Sequence, residues 1–331
     1  MVRCLFIVMN DVKALLTDND GLRTVFILKF VESFSYFATS QILTLYLSEE
    51  FGYSDVEAGV AYGIYGAAIS LYGLVLGKWI DSIGIKKSLM AGFFLATCGR
   101  TCLSLTGNIY LVGFVLFVIL PVAGALGIPV LLIGMKRNTN EINKAFAFGL
   151  FYTIMNVGAL CCGPTIDLLN WFGYGHRVVF AISGIASIFA WYISFSRFED
   201  CTPPENKVEG SVADLFKSPN FVRFMALSLL LTNVRAIFRH LDATLPKYLI
   251  RKFGPQIPKG FIYAINPLMI ILCVPVIAKK TAYLDAYGVI LLGSLISSFS
   301  PFFAGVTGDI GGAALRFCSI HRRGSLESQI S

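Results

Sequence analysis

Residues 109–135 read IYLVGFVLFVILPVAGALGIPVLLIGM, without one charged side chain. A helix crosses the hydrocarbon core of a bilayer with about 20 apolar residues, so this stretch reads as a membrane span. Working outward, Ala58–Gly77, Ala145–Ile166 and Ala286–Thr307 are also uncharged and long enough. A membrane β-barrel shows alternating segments of about ten residues instead. The whole chain agrees. It has 331 residues, 56% hydrophobic and 14% charged, against about 25% charged in a soluble domain, and its mean hydropathy is +0.71. These values exclude a soluble enzyme, a disordered chain and a disulfide-stapled secreted domain. The net charge of +7 is spread over loops, with no basic run that suggests nucleic acid. Cys98, Cys102, Cys161, Cys162 and Cys273 sit in apolar segments and read as small apolar residues.

The pattern predicts an all-α membrane protein of about nine spans, near 22–47, 57–79, 88–105, 109–135, 145–168, 177–196, 221–249, 260–278 and 285–306. The expected organisation is a cytoplasmic N-terminal segment 1–21, a first six-helix bundle 22–196, a cytoplasmic linker 197–220, a partial second bundle 221–306 and an irregular tail 307–331. Lys86 and Lys87, then Lys136, Arg137 and Lys144, then Lys279 and Lys280 mark even-numbered loops as cytoplasmic. The N-terminus follows them to that side. The first loop is acidic, with Glu49, Glu50, Asp55 and Glu57, while the seventh is basic, with Lys247, Arg251, Lys252 and Lys259.

Two matches suggest duplicated, like-oriented halves. Tyr46-Leu47 and Phe51-Gly52 recur as Tyr248-Leu249 and Phe253-Gly254, at an offset of 202. Asp81 and Gly84 recur as Asp285 and Gly288, at an offset of 204. Chance is the competing explanation, because Gly and aromatic residues are common at helix ends. If the repeat holds, Glu49 and Glu50 face Arg251 and Lys252 as an outer latch; the bland reading is two solvated loops.

The loop after the second span reads Gly77-Lys-Trp-Ile-Asp81-Ser-Ile-Gly84-Ile-Lys86-Lys87. It resembles the helix 2–3 signature of the major facilitator superfamily, G-x-x-x-D-x-x-G-x-[RK]-[RK]. The resemblance implies a major facilitator-type helical bundle in which Gly77, Asp81, Gly84, Lys86 and Lys87 form a cytoplasmic gate; an ordinary basic loop would carry the same charges. A narrower resemblance is to the proton-coupled oligopeptide transporters. It rests on Glu32-Ser-Phe-Ser-Tyr36-Phe37 with Leu45-Tyr46-Leu47, on Asn156-Val157-Gly158, and on Asn266-Pro267-Leu268 with Pro275. Lys29 stands where that family has Glu, and Ser33 where it has Arg, positions the family ties to proton coupling. Such families have twelve or more helices. Only 24 residues follow Thr307, whereas three spans need about 60, so the expectation is a C-terminally truncated product or a short form that pairs with another chain.

Charges inside spans are costly and mark function by default. Lys29 and Glu32 lie i,i+3 with Tyr36 one turn on; Arg235, Arg239 and Asp242 share the seventh span. With Tyr65, Asn156 and Asn266 they make the expected substrate or proton pathway. The excess of cations favours an anionic or zwitterionic solute, since Arg binds carboxylates bidentately. The competing reading is local structural pairing, Lys29 with Glu32 and Arg239 with Asp242. Arg100 is read as structural, and His240 carries no preference. Gly59, Gly63, Gly66, Ser70, Gly73 and Gly77 form a one-faced stripe suited to close helix packing. His176, His240 and His321 are scattered, so no metal, cofactor or enzymatic site is expected. The expected partners are the lipid bilayer, a small-molecule substrate and protons. The protein is read as a secondary transporter acting by alternating access in a plasma or organelle membrane. The alternative is a truncated, non-transporting chain or a regulatory partner of a full-length transporter.

Overall fold

The computed structural model describes residues 15, 17, 19–140, 143–198, 217–219, 221–223, 225–226, 239, 242–281, 288, 293 and 295. These are helical throughout apart from short turns, with no strand among them. The helices are α1 (Asp20–Phe51), α2 (Asp55–Ile83), α3 (Ile85–Leu105), α4 (Ile109–Arg137), α5 (Lys144–Trp171), α6 (His176–Arg197), α7 (Leu245–Phe253) and α8 (Lys259–Thr281). Five of them, α2 to α6, are long and apolar enough to cross a membrane. The first six expected spans each fall on a helix, α1 to α6, of which α1 is not among those five. Of the seventh, the described continuous helix is α7; the ninth span apart from residues 288, 293 and 295, most of the 197–220 linker and the 307–331 tail lie outside the described residues.

Local chemistry sets the helix ends. Asn19 caps α1 by accepting from the backbone N–H of Leu22, and Gly52 ends it at φ 70°, a conformation that favours glycine. Ser54 and Glu57 form a reciprocal capping box at the start of α2. Within α4 the segment Val115–Ile119 is wound as a π-helix.

The core has two levels. Near the α2–α3 turn, Leu22, Val25, Leu89, Phe93, Leu131 and Ala190 pack together. Near the α1–α2 turn, Ile42, Tyr46, Leu103, Leu116 and Phe180 do so. Close approaches depend on missing side chains. A Cβ on Gly158 of α5 would meet the backbone N of Phe34 and the Cβ of Ser33 in α1, each at 2.9 Å. Gly163 of α5 and Gly260 of α8 touch backbone to backbone. Thus α5 packs on α1 with one turn and on α8 with another.

The glycine stripe of α2 meets no neighbour among the described residues. A Cβ at Gly59, Gly63, Gly66, Gly73 or Gly77 would meet nothing within 4 Å, so no described helix packs on that face.

Candidate functional site

Between α1, α5, α8 and the chain preceding α7 lies a cavity of about 300 Å³. Lys29, Glu32, Tyr36, Asn156, Arg239, Asp242 and Asn266 all line it. Residues from four separate stretches of sequence thus meet at one cavity. Tyr65 does not line it; it lines a smaller chamber next door, which shares Glu32 and Tyr36 with the cavity. Arg235 and His240 lie outside the described residues.

The intramembrane charges pair locally. Lys29 Nζ donates to Glu32 Oε2 at 2.8 Å, Ser33 Oγ donates to the same oxygen at 3.2 Å, and both charged side chains are buried. The Phe151 ring covers the ammonium, 5.2 Å from its centroid, a cation–π contact that offsets part of the desolvation. Asp242 lies 3.9 Å from Arg239. Its Oδ2 accepts from Tyr62 Oη at 3.0 Å and Ser40 Oγ at 3.1 Å. Arg239 donates to the Tyr36 hydroxyl and leans over the same ring at 5.7 Å. One oxygen of a buried carboxylate thereby joins α1, α2 and the second half. Removing one partner of such a network leaves an uncompensated group and is strongly destabilising. Asn156 donates to the Tyr152 carbonyl at 2.8 Å, which fixes its amide at the cavity wall.

The sequence model of the Major Facilitator Superfamily matches residues 25–320. The chain belongs to the Major Facilitator Superfamily. Its relatives within that superfamily include dipeptide and tripeptide permease B of Yersinia enterocolitica, 24% identical over 178 residues, covering 52% of this chain and 35% of the permease. The inner membrane transport protein YajR of Escherichia coli is 28% identical over 212 residues, covering 61% and 44%. A di-/tripeptide transporter of Lactococcus lactis subsp. cremoris is 25% identical over 194 residues, covering 54% and 39%. The chain thus matches less than half the length of these relatives. A solved peptide transporter POT with sulfate superimposes with a TM-score of 0.73 at 17% identity, covering 93% of this chain and 80% of that one. A POT family transporter solved with 5-aminolevulinic acid gives 0.73 and 17%, covering 93% and 82%. The fold is therefore that of an integral membrane bundle of the Major Facilitator Superfamily.

Within this Major Facilitator Superfamily bundle the expected outer latch needs correction. Glu49 pairs with His176 at 2.9 Å and Glu50 with Arg177 at 2.8 Å, both inside the first bundle. Lys252 instead donates to Tyr248 in its own helix at 3.2 Å. The contact between halves is made by Asp55, which takes Lys247 at 3.1 Å and also Arg251. Lys247 additionally donates to Ser48 at 2.5 Å. Beside this pair, Asp167 of α5 accepts from the backbone N–H of Gly260 at 2.9 Å and of Phe261 at 2.7 Å, capping α8 from the opposite bundle. A carboxylate at a helix N-terminus satisfies orphan N–H groups and the positive end of the helix dipole.

At the other end, Gly84 carries φ 87° and caps both α2 and α3. Asp81 and Lys87 are exposed, and neither makes an ion pair among the described residues. Sequence reasoning missed Tyr62, Ser40 and Tyr263, the last a hydrogen-bond partner of Asp242. No local motif marks them. Arg100, read as structural, is 8% exposed and meets no carboxylate at ion-pair distance among the described residues.

Proposed function

We propose that the protein is a secondary active transporter that moves a small zwitterionic or anionic solute by alternating access, coupled to protons. The position of the cavity carries this reading. It sits at the seam between the halves, where rocking of two bundles exposes a site first to one side and then to the other. Its volume of about 300 Å³ matches the lower end of small-ligand pockets. Short peptides fit the size, and several relatives are di- and tripeptide permeases. Non-enzymatic function follows from the same reading.

Asp242 is the proton carrier in this proposal. Protonation of its carboxyl weakens the attraction to Arg239 and frees that guanidinium for the solute. Lys86, Lys87, Lys136, Arg137 and Lys144 assign the α2–α3 end to the cytoplasm. The Asp55–Lys247–Arg251 contact then closes the outer side, and the described arrangement is the inward-facing one.

The test is uptake into proteoliposomes of labelled alanyl-alanine, single amino acids and dicarboxylates, with and without an inward-directed proton gradient. The expected result is gradient-driven accumulation of a carboxylate-bearing solute, lost in Asp242→Asn. Accumulation that ignores the gradient and survives Asp242→Asn removes the coupling proposal. Failure of every solute to accumulate removes the transport reading.

A further inference from the structure

The small chamber beside the main cavity is lined by Arg100 and Tyr65, with Ala96, Gly124 and Gly127 forming its narrow floor. Arg100 Nε donates to Thr39 Oγ1 at 3.4 Å and Nη1 to Ser187 Oγ at 2.5 Å. These two hydroxyls orient the guanidinium without neutralising it. A guanidinium carries five N–H donors, and the remaining ones have no acceptor among the described residues. Glu32 borders the chamber, but its Oε2 is already engaged by Lys29 and Ser33. Tyr65, 4% exposed, makes no hydrogen bond among the described residues. A buried charge without a counter-ion is expensive to maintain.

The space is built rather than accidental. Gly127 is buried, yet a Cβ there would meet nothing within 4 Å, because it faces the chamber. The chamber measures about 30 Å³, room for about two waters by that measure or for one carboxylate group. The π-helical turn Val115–Ile119 ends next to Leu120, another wall residue. Such turns occur frequently at functional sites.

We propose that this chamber is a carboxylate subsite: Arg100 and Tyr65 bind the solute's carboxylate there, while the rest of the solute occupies the main cavity. The bound anion supplies the direct ion-pair partner that Arg100 lacks among the described residues. The inference rests on the transport reading and narrows it to solutes that bear a carboxylate at one end. Arg239, paired with Asp242, is left for other polar groups of the solute.

The experiment uses the full chain in lipid nanodiscs and two probes, alanyl-alanine and its C-terminal amide. Equilibrium dialysis should show the wild-type chain binding the acid about tenfold more tightly or better, the effect of one charge-assisted contact. Arg100→Gln should abolish that preference by weakening the acid while leaving the amide unchanged. Gly127→Val should do the same by filling the chamber with Arg100 intact, so the test survives if Arg100→Gln does not fold. Tyr65→Phe should weaken the acid alone, by less. Preference retained in Arg100→Gln or in Gly127→Val overturns the proposal. So does equal binding of both probes, or of neither, to the wild-type chain. Proteoliposome uptake separates the two readings: equal uptake of acid and amide removes the Arg100 assignment and keeps transport, whereas no uptake of any solute removes both.

Discussion

The two ends of the bundle are built differently. At the α1–α2 end, the halves meet through Asp55 with Lys247 and Arg251, through Asp167 on the N-terminus of α8, and through the backbone contact of Gly163 with Gly260. At the α2–α3 end, the glycine at position 77 faces open space, and Asp81 and Lys87 point outward. One end therefore joins the packed elements by side chains and backbone at once, while at the other Asp81 and Lys87 are exposed and make no ion pair among the described residues. The alternating access proposed above needs this asymmetry in any one state, because a site open to both sides would leak.

Overpacking the closed end tests the contrast most severely. In Gly260→Val the new side chain meets the Gly163 backbone, which cannot rotate away as a flexible side chain can. We expect destabilisation of about 3 kcal/mol or more, read as a large drop in the thermal unfolding midpoint in detergent. An unchanged midpoint would show that α5 and α8 separate freely. Opening the latch is the next step down. Asp55→Asn removes one anion from two cations at a half-exposed site, so the stability loss is about 1 kcal/mol. Labelling of a cysteine at Asn266 by a membrane-impermeant reagent from the α1–α2 side should rise several-fold. Asp81→Asn, the matching change at the other end, should leave both readouts within error, and a comparable increase there would erase the distinction between the ends.

Gly77→Ala sharpens the comparison with a change of opposite sign. Nothing lies within 4 Å of the new methyl group, and alanine is favoured over glycine in a helix interior by about 0.5–1 kcal/mol. The unfolding midpoint should therefore rise slightly. A fall, or loss of uptake at full stability, would reveal a partner surface on that face of α2.

What the sequence disclosed follows the range of the forces involved. Hydrophobic length is local, so the segments that form α1 to α6 could be picked out, five of them long and apolar enough to cross a membrane. The cost of a charge in lipid is also local, and so Lys29, Glu32, Arg239 and Asp242 stood out before any geometry was known. Their i,i+3 spacing even announced both ion pairs. Pairing between helices is different, because it depends on rotation about each axis and on offset along it. Asp55 rather than Glu49 or Glu50 meets α7 because α2 begins there, after the Gly52 turn, and a repeat offset of 202 carries no information on that rotation. Tyr62 and Ser40 were silent for the same reason: each looks like an ordinary packing residue until Asp242 arrives from the other half. Arg100 was read as structural, and its hydrogen bonds to Thr39 and Ser187 fit that reading; what the sequence could not show is that no carboxylate reaches it at ion-pair distance among the described residues.

The smallest expected effect concerns pH at the closed end. Glu49 lies beyond the apolar part of α1, and the His176 hydrogen bond at 2.9 Å holds its carboxyl below the usual glutamate value, against a smaller opposing effect of burial. A lowered native value means that the contact stabilises fully above the unfolded value of about 4.3, and that the contribution disappears as pH falls through the lowered value. The wild-type midpoint should therefore fall between about pH 6 and pH 3 by slightly more than that of Glu49→Gln, which has no carboxyl to titrate. The difference corresponds to about 1 kcal/mol or less, because the carboxylate is half exposed and screened. Identical pH profiles would place the Glu49–His176 contact among surface pairs of no energetic consequence.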